Sequence, residues 1–386
     1  MSAKKTYDAA VIGAGVFGAW TALELRRAGK SVALCDAYGP ANARASSGGE
    51  SRLIRMGYGA DEIFTRWSWR SLARWKELFA RSGAPLFRET GILWIFGADA
   101  AANYAQQTLN TLKRLAIPHE TIARTELEKR WPQIAFGDAT WALLEPQSGV
   151  LLARRAVAAV VEAAVEAGVE YFPAAIEPPR GSGRIDSVRT TAGEIISAGE
   201  FVYACGPWMG KVFPDLLGQR IFVTRQEVFF FGVPPGEQRF APPAMPGWLY
   251  LADLFYGVPD LESRGFKIAH DKHGEPCDPD TQERVPSAEA LATAQKYLAR
   301  RFPALANAPL VEARVCQYEN SSNGDFLVDR HPDFENVWLV GGGSGHGFKH
   351  GPAMGEHVAA VLSGSVKREP RFSLEYKLVV QKRAVF

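Results

Sequence analysis

The segment from Tyr7 to Asp36, YDAAVIGAGVFGAWTALELRRAGKSVALCD, constrains the fold more than any other part of the chain. The short run Asp8 to Ile12 is rich in Ala, Val and Ile and predicts a buried parallel strand. Residues Ala14 to Ala28 then have helical periodicity, and Val32 to Leu34 predict a second strand. This order of elements is typical of the first unit of a doubly wound α/β sheet.

Three glycines with the spacing G-x-G-x-x-G lie between this strand and this helix. Gly13 permits the tight turn, Gly15 lets a pyrophosphate approach the backbone, and Gly18 lets helix and strand pack closely. The helix N-terminus offers free N–H groups to phosphates. Asp36 can accept hydrogen bonds from a ribose 2′-hydroxyl, and its charge argues against the 2′-phosphate of NADP. The unit therefore predicts a dinucleotide site, with FAD and NAD both open.

Composition excludes several classes of function. The 386 residues suffice for two domains, and 44 Lys and Arg against 42 Asp and Glu leave a net charge of only +2. Without blocks of like charge, we expect neither a nucleic-acid nor a membrane partner. The N-terminal residues MSAKK run directly into the first strand, so we expect no signal peptide. The cysteines, which form no C-x-x-C pair, favour a reducing cytoplasm: Cys35, Cys205, Cys277 and Cys316.

The rest of the chain predicts further elements of both kinds. Helices are expected at Ile63 to Phe79, Ala100 to Ala116, Thr125 to Trp131, Leu152 to Ala167, Ser287 to Arg300 and Pro352 to Leu362. Strands are expected at Thr90 to Gly97, Phe201 to the turn before Gly210, Ile221 to Val233, the two ends of Trp248 to Lys267, Phe326 to Asp329 and Val337 to Val340. Nucleotide-type elements thus occur at the start, middle and end, with β-rich pieces between them.

Two other segments indicate anion binding. Arg52 and Arg55 end a long polar loop, and because they are three apart, one helical turn would place both on one face. The glycine-rich GGGSGHGFKHGPAMGE follows a short strand near the C-terminus, which favours a second backbone nest for an anionic or carbonyl-rich ligand. The tryptophans of Ile63 to Phe79 are expected to pack in the core.

These motifs together resemble the glycine oxidase, D-amino-acid oxidase and sarcosine oxidase family of flavoproteins. The chain is most similar to the branch with monomeric sarcosine oxidase, N-methyltryptophan oxidase and pipecolate oxidase. The resemblance covers nearly the whole chain in collinear order and rests on GAGVFG with Asp36, SSGGESRLIRMGYG, TGILWIFG, EPQSGVL, ACGPW, FYGVP with GFK, Cys316 and GGGSGHGFKHGPAMGE. It implies FAD rather than NAD.

The resemblance also implies a two-domain α/β fold. A discontinuous Rossmann-like FAD-binding domain is expected at residues 1–85, 146–215 and 320–386. A β-sheet substrate domain is expected at residues 86–145 and 216–319. A monomer is expected.

Roles for single residues follow from the resemblance. It implies that Arg55 and Lys349 hold a substrate carboxylate, which suits a guanidinium fork and an ammonium. It places Arg52 beside the flavin ring, Lys267 where dioxygen is activated, and Tyr256 next to the substrate. It makes Cys316 the cysteine joined to the flavin by a thioether. The implied cofactor contacts are Gly13, Gly15, Val16, Phe17, Gly18, Asp36, Ala37, Ser47, Arg52, Gly206, Trp208, Cys316, Gly343, Gly345, Gly347, Phe348 and Lys349.

The chain also departs from the family pattern. Ser47 and Gly48 replace a pair of histidines, Asp271 stands where a further active-site histidine is found, and Leu249 replaces a methionine. These changes alter the volume and polarity of the substrate pocket, so sarcosine itself does not follow. The implied reaction is oxidation of a secondary amine or N-alkyl amino acid to an imine, with dioxygen reduced to hydrogen peroxide.

Alternative functions use the same residues. A flavin dehydrogenase could pass electrons to a quinone or a partner protein, and a non-catalytic flavin subunit of a larger complex is a further alternative. His346, His350, Glu356 and His357 suggest a metal site, but the glycines from Gly341 to Gly347 preclude helical ligand spacing, so no metal is expected. A serine hydrolase is disfavoured because no G-x-S-x-G follows a strand.

Overall fold

The computed structural model describes residues 5–97 and 102–380 of the chain. Its helices are α1 (Val16–Arg27), α2 (Glu62–Ser82), α3 (Ala102–Arg114), α4 (Arg124–Arg130), α5 (Ala153–Glu166), α6 (Met209–Val212), α7 (Pro214–Leu217), α8 (Ala288–Arg301) and α9 (Gly351–Leu362). The first residues of the helix predicted at Ala100 to Ala116 lie outside the described residues.

The strands are β1 (Thr6–Ile12), β2 (Val32–Cys35), β3 (Arg52–Ile54), β4 (Phe87–Arg88), β5 (Ile92–Phe96), β6 (Glu120–Ala123), β7 (Trp141–Glu145), β8 (Gly149–Leu151), β9 (Glu170–Phe172), β10 (Ser187–Arg189), β11 (Ile195–Tyr203), β12 (Ile221–Phe231), β13 (Gly247–Tyr250), β14 (Phe255–Val258), β15 (Phe266–His270), β16 (Leu310–Ser321), β17 (Leu327–Arg330) and β18 (Val337–Gly341). The segment Trp248 to Lys267 was predicted as two strands. It contributes to three, because turns at residues 251–254 and 259–265 each reverse the chain.

The first sheet is the doubly wound sheet that the N-terminal segment predicts. Its strand order is β17-β18-β11-β1-β2-β9, and β10 pairs with β11. The five consecutive strands of this order from β18 to β9 run parallel. Because β11 lies beside β1, the carboxyl ends of strands from distant parts of the chain meet where the glycine-rich turn begins.

Helix α1 packs closely on α9 because glycines remove side chains from the contact. A Cβ atom at Gly355 would lie 2.6 Å from the main-chain carbonyl carbon of Trp20, and one at Gly351 would lie 2.7 Å from its ring. Trp20 in turn meets Trp75 of α2 edge to face, with ring centroids 5.1 Å apart. Trp67 and Trp75 of the predicted aromatic stripe are therefore core residues, with 8% and 0% of their surfaces exposed.

The second sheet has the order β16-β12-β15-β14-β13-β5-β7-β6, and alternation along its strands gives it two different faces. One face packs against α8 in an apolar core that includes Phe229, Phe231, Trp248, Phe266 and Ile268. The opposite face carries Val228, Phe230, Leu249, Tyr256 and Lys267, which line a cavity. A third sheet, β3-β8-β4, includes through β3 the arginine segment, which is Ser51 to Arg55.

No helix in residues 5–97 and 102–380 is both long and apolar enough to cross a membrane. The mixed α/β architecture that the sequence predicts is confirmed.

Candidate active site

The turn after β1 has the geometry that its glycines were predicted to permit. Gly13 has φ +108°, and a Cβ there would lie 2.3 Å from the main-chain oxygen of Ala204 in the neighbouring strand's loop. A Cβ at Gly18 would lie 1.8 Å from the oxygen of Gly13, so Gly18 acts by close packing. A Cβ at Gly15 would lie 3.6 Å from its nearest neighbour, Ser47 Oγ, so the backbone at Gly15 is open to a ligand.

Asp36 connects the end of β2 to this turn. Its Oδ2 accepts a hydrogen bond from the Ala14 N–H at 2.7 Å, and its Oδ1 accepts one from the Tyr38 N–H at 2.8 Å. Burial raises the pKa of Asp36, although these backbone donors oppose the shift. The carboxylate therefore lies at the strand end where a ribose is expected.

A large cavity of about 350 Å³ extends from this turn along the first sheet. The residues of the predicted cofactor set that line it are Gly13, Gly15, Val16, Phe17, Asp36, Ala37, Ser47, Arg52, Gly206, Trp208, Gly343, Gly345, Gly347 and Phe348. Gly18 does not line it, because it packs against the backbone of Gly13. Cys316 and Lys349 line the adjoining cavity instead.

This smaller cavity, of about 80 Å³, lies between the second sheet and the arginine segment. It shares part of its lining with the large cavity, namely Ala45, Arg52, Tyr318, Gly345 and Phe348. The structure brings all the residues of the predicted catalytic set to its wall: Arg52, Arg55, Tyr256, Lys267 and Lys349.

Arg52 and Arg55 do not share a helical turn, and that prediction was wrong. Arg52 begins β3, and Arg55 follows the strand's last residue. The segment is extended because β3 pairs with β8, a contact between residues about a hundred positions apart. Both arginines still line the smaller cavity.

A buried carboxylate fixes the chain next to Arg55. Glu145, which is 1% exposed, accepts hydrogen bonds from the N–H groups of Met56 and Gly57 at 2.7 and 2.9 Å and from Trp94 Nε1 at 2.8 Å. The Arg55 guanidinium then donates to the Gly57 oxygen at 2.6 Å and lies 4.6 Å from the Trp94 ring centroid. Glu145 therefore determines where the guanidinium lies.

Lys349 reaches the same wall from the C-terminal glycine-rich segment. It is 4% exposed, and its Nζ donates to the His346 carbonyl oxygen at 2.9 Å. Trp75 Nε1 donates to the carbonyl oxygen of Lys349 at 3.0 Å, which fixes its backbone. The Lys349 ammonium and the Arg55 guanidinium lie 5.1 and 4.9 Å from the ring centroid of Tyr58. Two cations from distant segments thus flank one aromatic ring.

Lys267 is a buried amine on the second sheet. Its side chain is 1% exposed, and Nζ donates to the main-chain oxygen and the hydroxyl of Ser51 at 3.1 and 3.3 Å. Burial, and then the positive charge of Arg52, lower the pKa of Lys267 to about 7. The amine can therefore change its charge near neutral pH.

Cys316 lies on β16, opposite Arg52 of β3. The Arg52 Nη2 is 3.5 Å from the Cys316 sulfur and 2.7 Å from the Ser46 carbonyl oxygen. The cysteine sulfur therefore lies in direct contact with a fixed positive charge. All four cysteines of the chain are free thiols in the structure.

The large cavity fits FAD by its backbone and by its buried polar atoms. A Cβ at Gly206 would meet no atom within 4 Å, and one at Gly343 would meet only Gly347 Cα at 3.9 Å, so both glycines expose backbone to the cavity. Within the described residues, Ser46 Oγ and Glu319 Oε1 are buried without a hydrogen-bond partner. Such atoms are expected to bond a polar ligand such as the cofactor.

Several residues of the two cavities were missed by the sequence analysis. They are Tyr318, Glu319 and Asp280, whose Oδ1 accepts from Trp208 Nε1 at 2.7 Å. Glu145 was also missed; it lines neither cavity but holds the backbone next to Arg55. Burial raises the pKa of Glu319 to about 7 against the opposing N–H groups of Gly342 and Gly343. Alternation from Cys316 would have predicted Tyr318 on the cavity face.

Two of the histidines near the C-terminus, His346 and His350, have a partner other than a metal ion. The Tyr58 hydroxyl lies 3.2 Å from His346 Nδ1 and 2.8 Å from His350 Nε2. Glu356 pairs with Arg74 at 2.9 Å. Within the described part of the chain, no group of three His, Cys, Asp or Glu side chains is arranged to hold a metal ion.

Known proteins are similar to this chain in both sequence and fold. The FAD dependent oxidoreductase family, DAO, matches residues 8–361. The monomeric sarcosine oxidase of Bacillus sp. (strain NS-129) is 29% identical over 92% of this chain and 93% of its own length. The N-methyl-L-tryptophan oxidase of Salmonella arizonae is 30% identical over 95% of this chain and 97% of its own.

Two solved structures share the fold at about one-fifth identity. L-proline dehydrogenase from P. horikoshii superposes with a TM-score of 0.81, 21% identity, and coverage of 96% of this chain and 97% of its own. The fructosamine oxidase of Aspergillus fumigatus gives a TM-score of 0.83 at 21% identity, covering 99% of this chain and 92% of its own. The chain therefore belongs to the FAD dependent oxidoreductase family, DAO.

Proposed function

We propose that this protein is an FAD-containing amine oxidase that acts on a secondary amine or N-alkyl amino acid with a free carboxylate. The substrate loses two electrons and becomes an imine, water hydrolyses the imine, and dioxygen accepts the electrons as hydrogen peroxide. The observation that carries the proposal is the convergence of Arg55 and Lys349 on Tyr58, in a cavity that adjoins the large one.

Arg55 and Lys349 bind the substrate carboxylate. A guanidinium presents two parallel N–H groups to a carboxylate, and an ammonium adds a point charge from a second direction. Both side chains are buried, so their attraction for an anion is little screened by water. Because Glu145 and Trp75 hold the two backbones, the carboxylate is positioned without reorganisation of the wall.

When bound, FAD supplies the two-electron redox chemistry, while the protein supplies position and charge. Positive charge comes from Arg52, which lines both cavities, and from Lys267, which lines the smaller one. In its ammonium form, Lys267 stabilises negative charge that develops as dioxygen is reduced. Tyr256 lies beside Lys267, with its ring centroid 5.7 Å from Nζ, and flanks the substrate.

Cys316 attaches the cofactor covalently in this proposal, through a thioether to the methyl carbon at position 8 of the flavin ring. On attachment Cys316 would give up its thiol proton, and dioxygen would accept the two electrons and the second hydrogen that the new bond releases, as hydrogen peroxide. The position of the sulfur supports this role, because it lines the cavity that adjoins the large one and lies 3.5 Å from the Arg52 guanidinium.

The remaining predictions concern the setting of the enzyme. We propose that the enzyme is a monomer and that it lies in the cytoplasm. The unpaired cysteines support the cytoplasmic location. We also propose the division into an FAD-binding domain (1–85, 146–215 and 320–386) and a substrate domain (86–145 and 216–319). The strand membership of the two large sheets supports this division.

A hydrogen peroxide assay over N-methyl amino acids, cyclic imino acids and glycated amino acids tests the proposed function. We expect peroxide and the matching carbonyl product with at least one of these classes. Substrate-dependent reduction of a quinone dye with no peroxide in air would instead show a dehydrogenase.

A further inference from the structure

One acidic side chain lies on the same face of the second sheet as the catalytic lysine. In β15, Lys267 and Ala269 point to the same face because side chains alternate, and Asp271 continues that alternation one residue beyond the strand. Tyr256 of β14 pairs with Ala269 and therefore lies between Lys267 and Asp271. Asp271 lines the smaller cavity together with these two residues.

The Asp271 carboxylate is held in a defined place. Its Oδ1 accepts a hydrogen bond from the Tyr318 hydroxyl at 2.9 Å, and its backbone N–H donates to the Leu254 oxygen at 2.7 Å. Its negative charge acts across the cavity, since it contributes to raising the pKa of both Tyr256 and Arg55. Asp271 therefore faces the residues proposed to hold the substrate.

The acidic side chains that line the smaller cavity have different neighbours. Among the described residues, its acidic side chains are Glu50 and Asp271. Glu50 Oε1 forms ion pairs with Arg314, Arg154 and Arg264 at 2.6, 3.3 and 3.5 Å. Glu50 is therefore paired with three arginines. Asp271 lines the same cavity as Arg55 and Lys349 and accepts its hydrogen bond from Tyr318 there.

An anion site and a carboxylate in one small cavity suit a zwitterion. We propose that Asp271 binds the positively charged amine of a zwitterionic amino acid whose carboxylate lies on Arg55 and Lys349. This inference rests on the proposed function and adds a selection rule: carboxylates that carry a cationic nitrogen bind better than neutral carboxylates of equal shape. In a buried cavity, an opposite charge a few ångströms away has a large effect on binding.

Two ligands of equal shape test this rule by calorimetric titration of the anaerobic holoenzyme. Trimethylglycine and 3,3-dimethylbutanoate both carry a carboxylate on a CH₂ group, and they differ in a quaternary nitrogen against a quaternary carbon. We expect the wild-type protein to bind trimethylglycine more tightly by about tenfold. Asp271→Asn should remove this preference, and Glu50→Gln should keep it.

The outcomes separate this inference from the proposed function. Equal affinity of wild-type protein for the two ligands would overturn the role of Asp271 and leave the carboxylate site standing. A preference that persists in Asp271→Asn would overturn it as well. Failure of propanoate, a smaller carboxylate, to bind the wild-type protein would overturn the carboxylate site and the inference with it. The wild-type comparison needs no variant, so it remains decisive if Asp271→Asn does not fold.

Discussion

The Lys267 ammonium nitrogen lies 3.1 Å from the main-chain oxygen of Ser51, so the lysine of the second sheet is anchored on the segment that carries the two arginines. This contact fixes a titrating amine in the wall of the smaller cavity. The burial that removes water from the amine also lowers its pKa to about 7.

We predict that Lys267→Met slows reoxidation of the reduced enzyme by dioxygen far more than its anaerobic reduction by substrate. The methionine keeps the length of the side chain but removes the charge that stabilises reduced oxygen. Stopped-flow measurement of the two half-reactions checks this. Equal slowing of both would contradict the role assigned to Lys267.

The pH dependence of reoxidation follows from the same residue. The charged form of Lys267 is present below its lowered pKa, so we predict that the reoxidation rate falls as the pH rises through that pKa. Lys267→Arg is the matched control, because a guanidinium keeps its proton in alkaline buffer. Reoxidation in this variant should depend little on pH, and a fall equal to that of the wild type would point to another group.

Cys316→Ala should leave FAD that acid precipitation strips from the protein, whereas the wild-type protein should retain its colour. Absorbance of the supernatant after precipitation is the measurement. Cys277→Ala is a matched control, because Cys277 lines neither cavity and burial raises the pKa of its thiol to about 11. Release of flavin from the wild-type protein would refute covalent attachment.

Arg55→Met should raise the substrate dissociation constant about tenfold to a hundredfold, because hydrogen bonds to charged groups contribute about 1.5–3 kcal/mol. Arg55→Lys keeps the charge but loses the planar fork, so an intermediate constant is expected. Anaerobic titration gives both constants. An unchanged constant in Arg55→Met would place the carboxylate elsewhere.

Glu145→Ala should lower the free energy of unfolding by about 3 kcal/mol, because several buried donors lose their acceptor. It should also weaken substrate binding, since Met56 and Gly57 no longer hold Arg55 in place. Denaturant unfolding measures the first effect. Glu128→Ala, which breaks an exposed ion pair with Arg124, should change stability by less than about 1 kcal/mol. A similar loss of stability in both variants would contradict the role of Glu145 as the acceptor for these buried donors.

The sequence predicted correctly those elements whose signals, periodicity and glycine spacing, lie within the element itself. The turn from Gly13 to Gly18 and the helices around Trp75 and Tyr297 have strong periodicity or glycine spacing, and they lie where expected. The strand at Arg52 did not follow from its neighbours, because only pairing with β8 makes it extended.

The candidate site was predictable where a motif carries the chemistry. Arg55, Lys267 and Lys349 stand in recognisable segments, and the structure brings them to one cavity. No motif pointed to Glu145. From the sequence, a carboxylate at a strand end is expected to be solvated, and only the structure shows its buried donors. Asp280 was missed because a loop of the second sheet must first reach the large cavity.

The most direct test of the account is anaerobic mixing of the holoenzyme with N-methyl amino acids and with the same compounds lacking the carboxylate. We predict that at least one N-methyl amino acid bleaches the visible flavin band, and that its decarboxylated counterpart bleaches it far more slowly at equal concentration. Bleaching at the same rate by both compounds would contradict the claim that Arg55 and Lys349 position the substrate through its carboxylate.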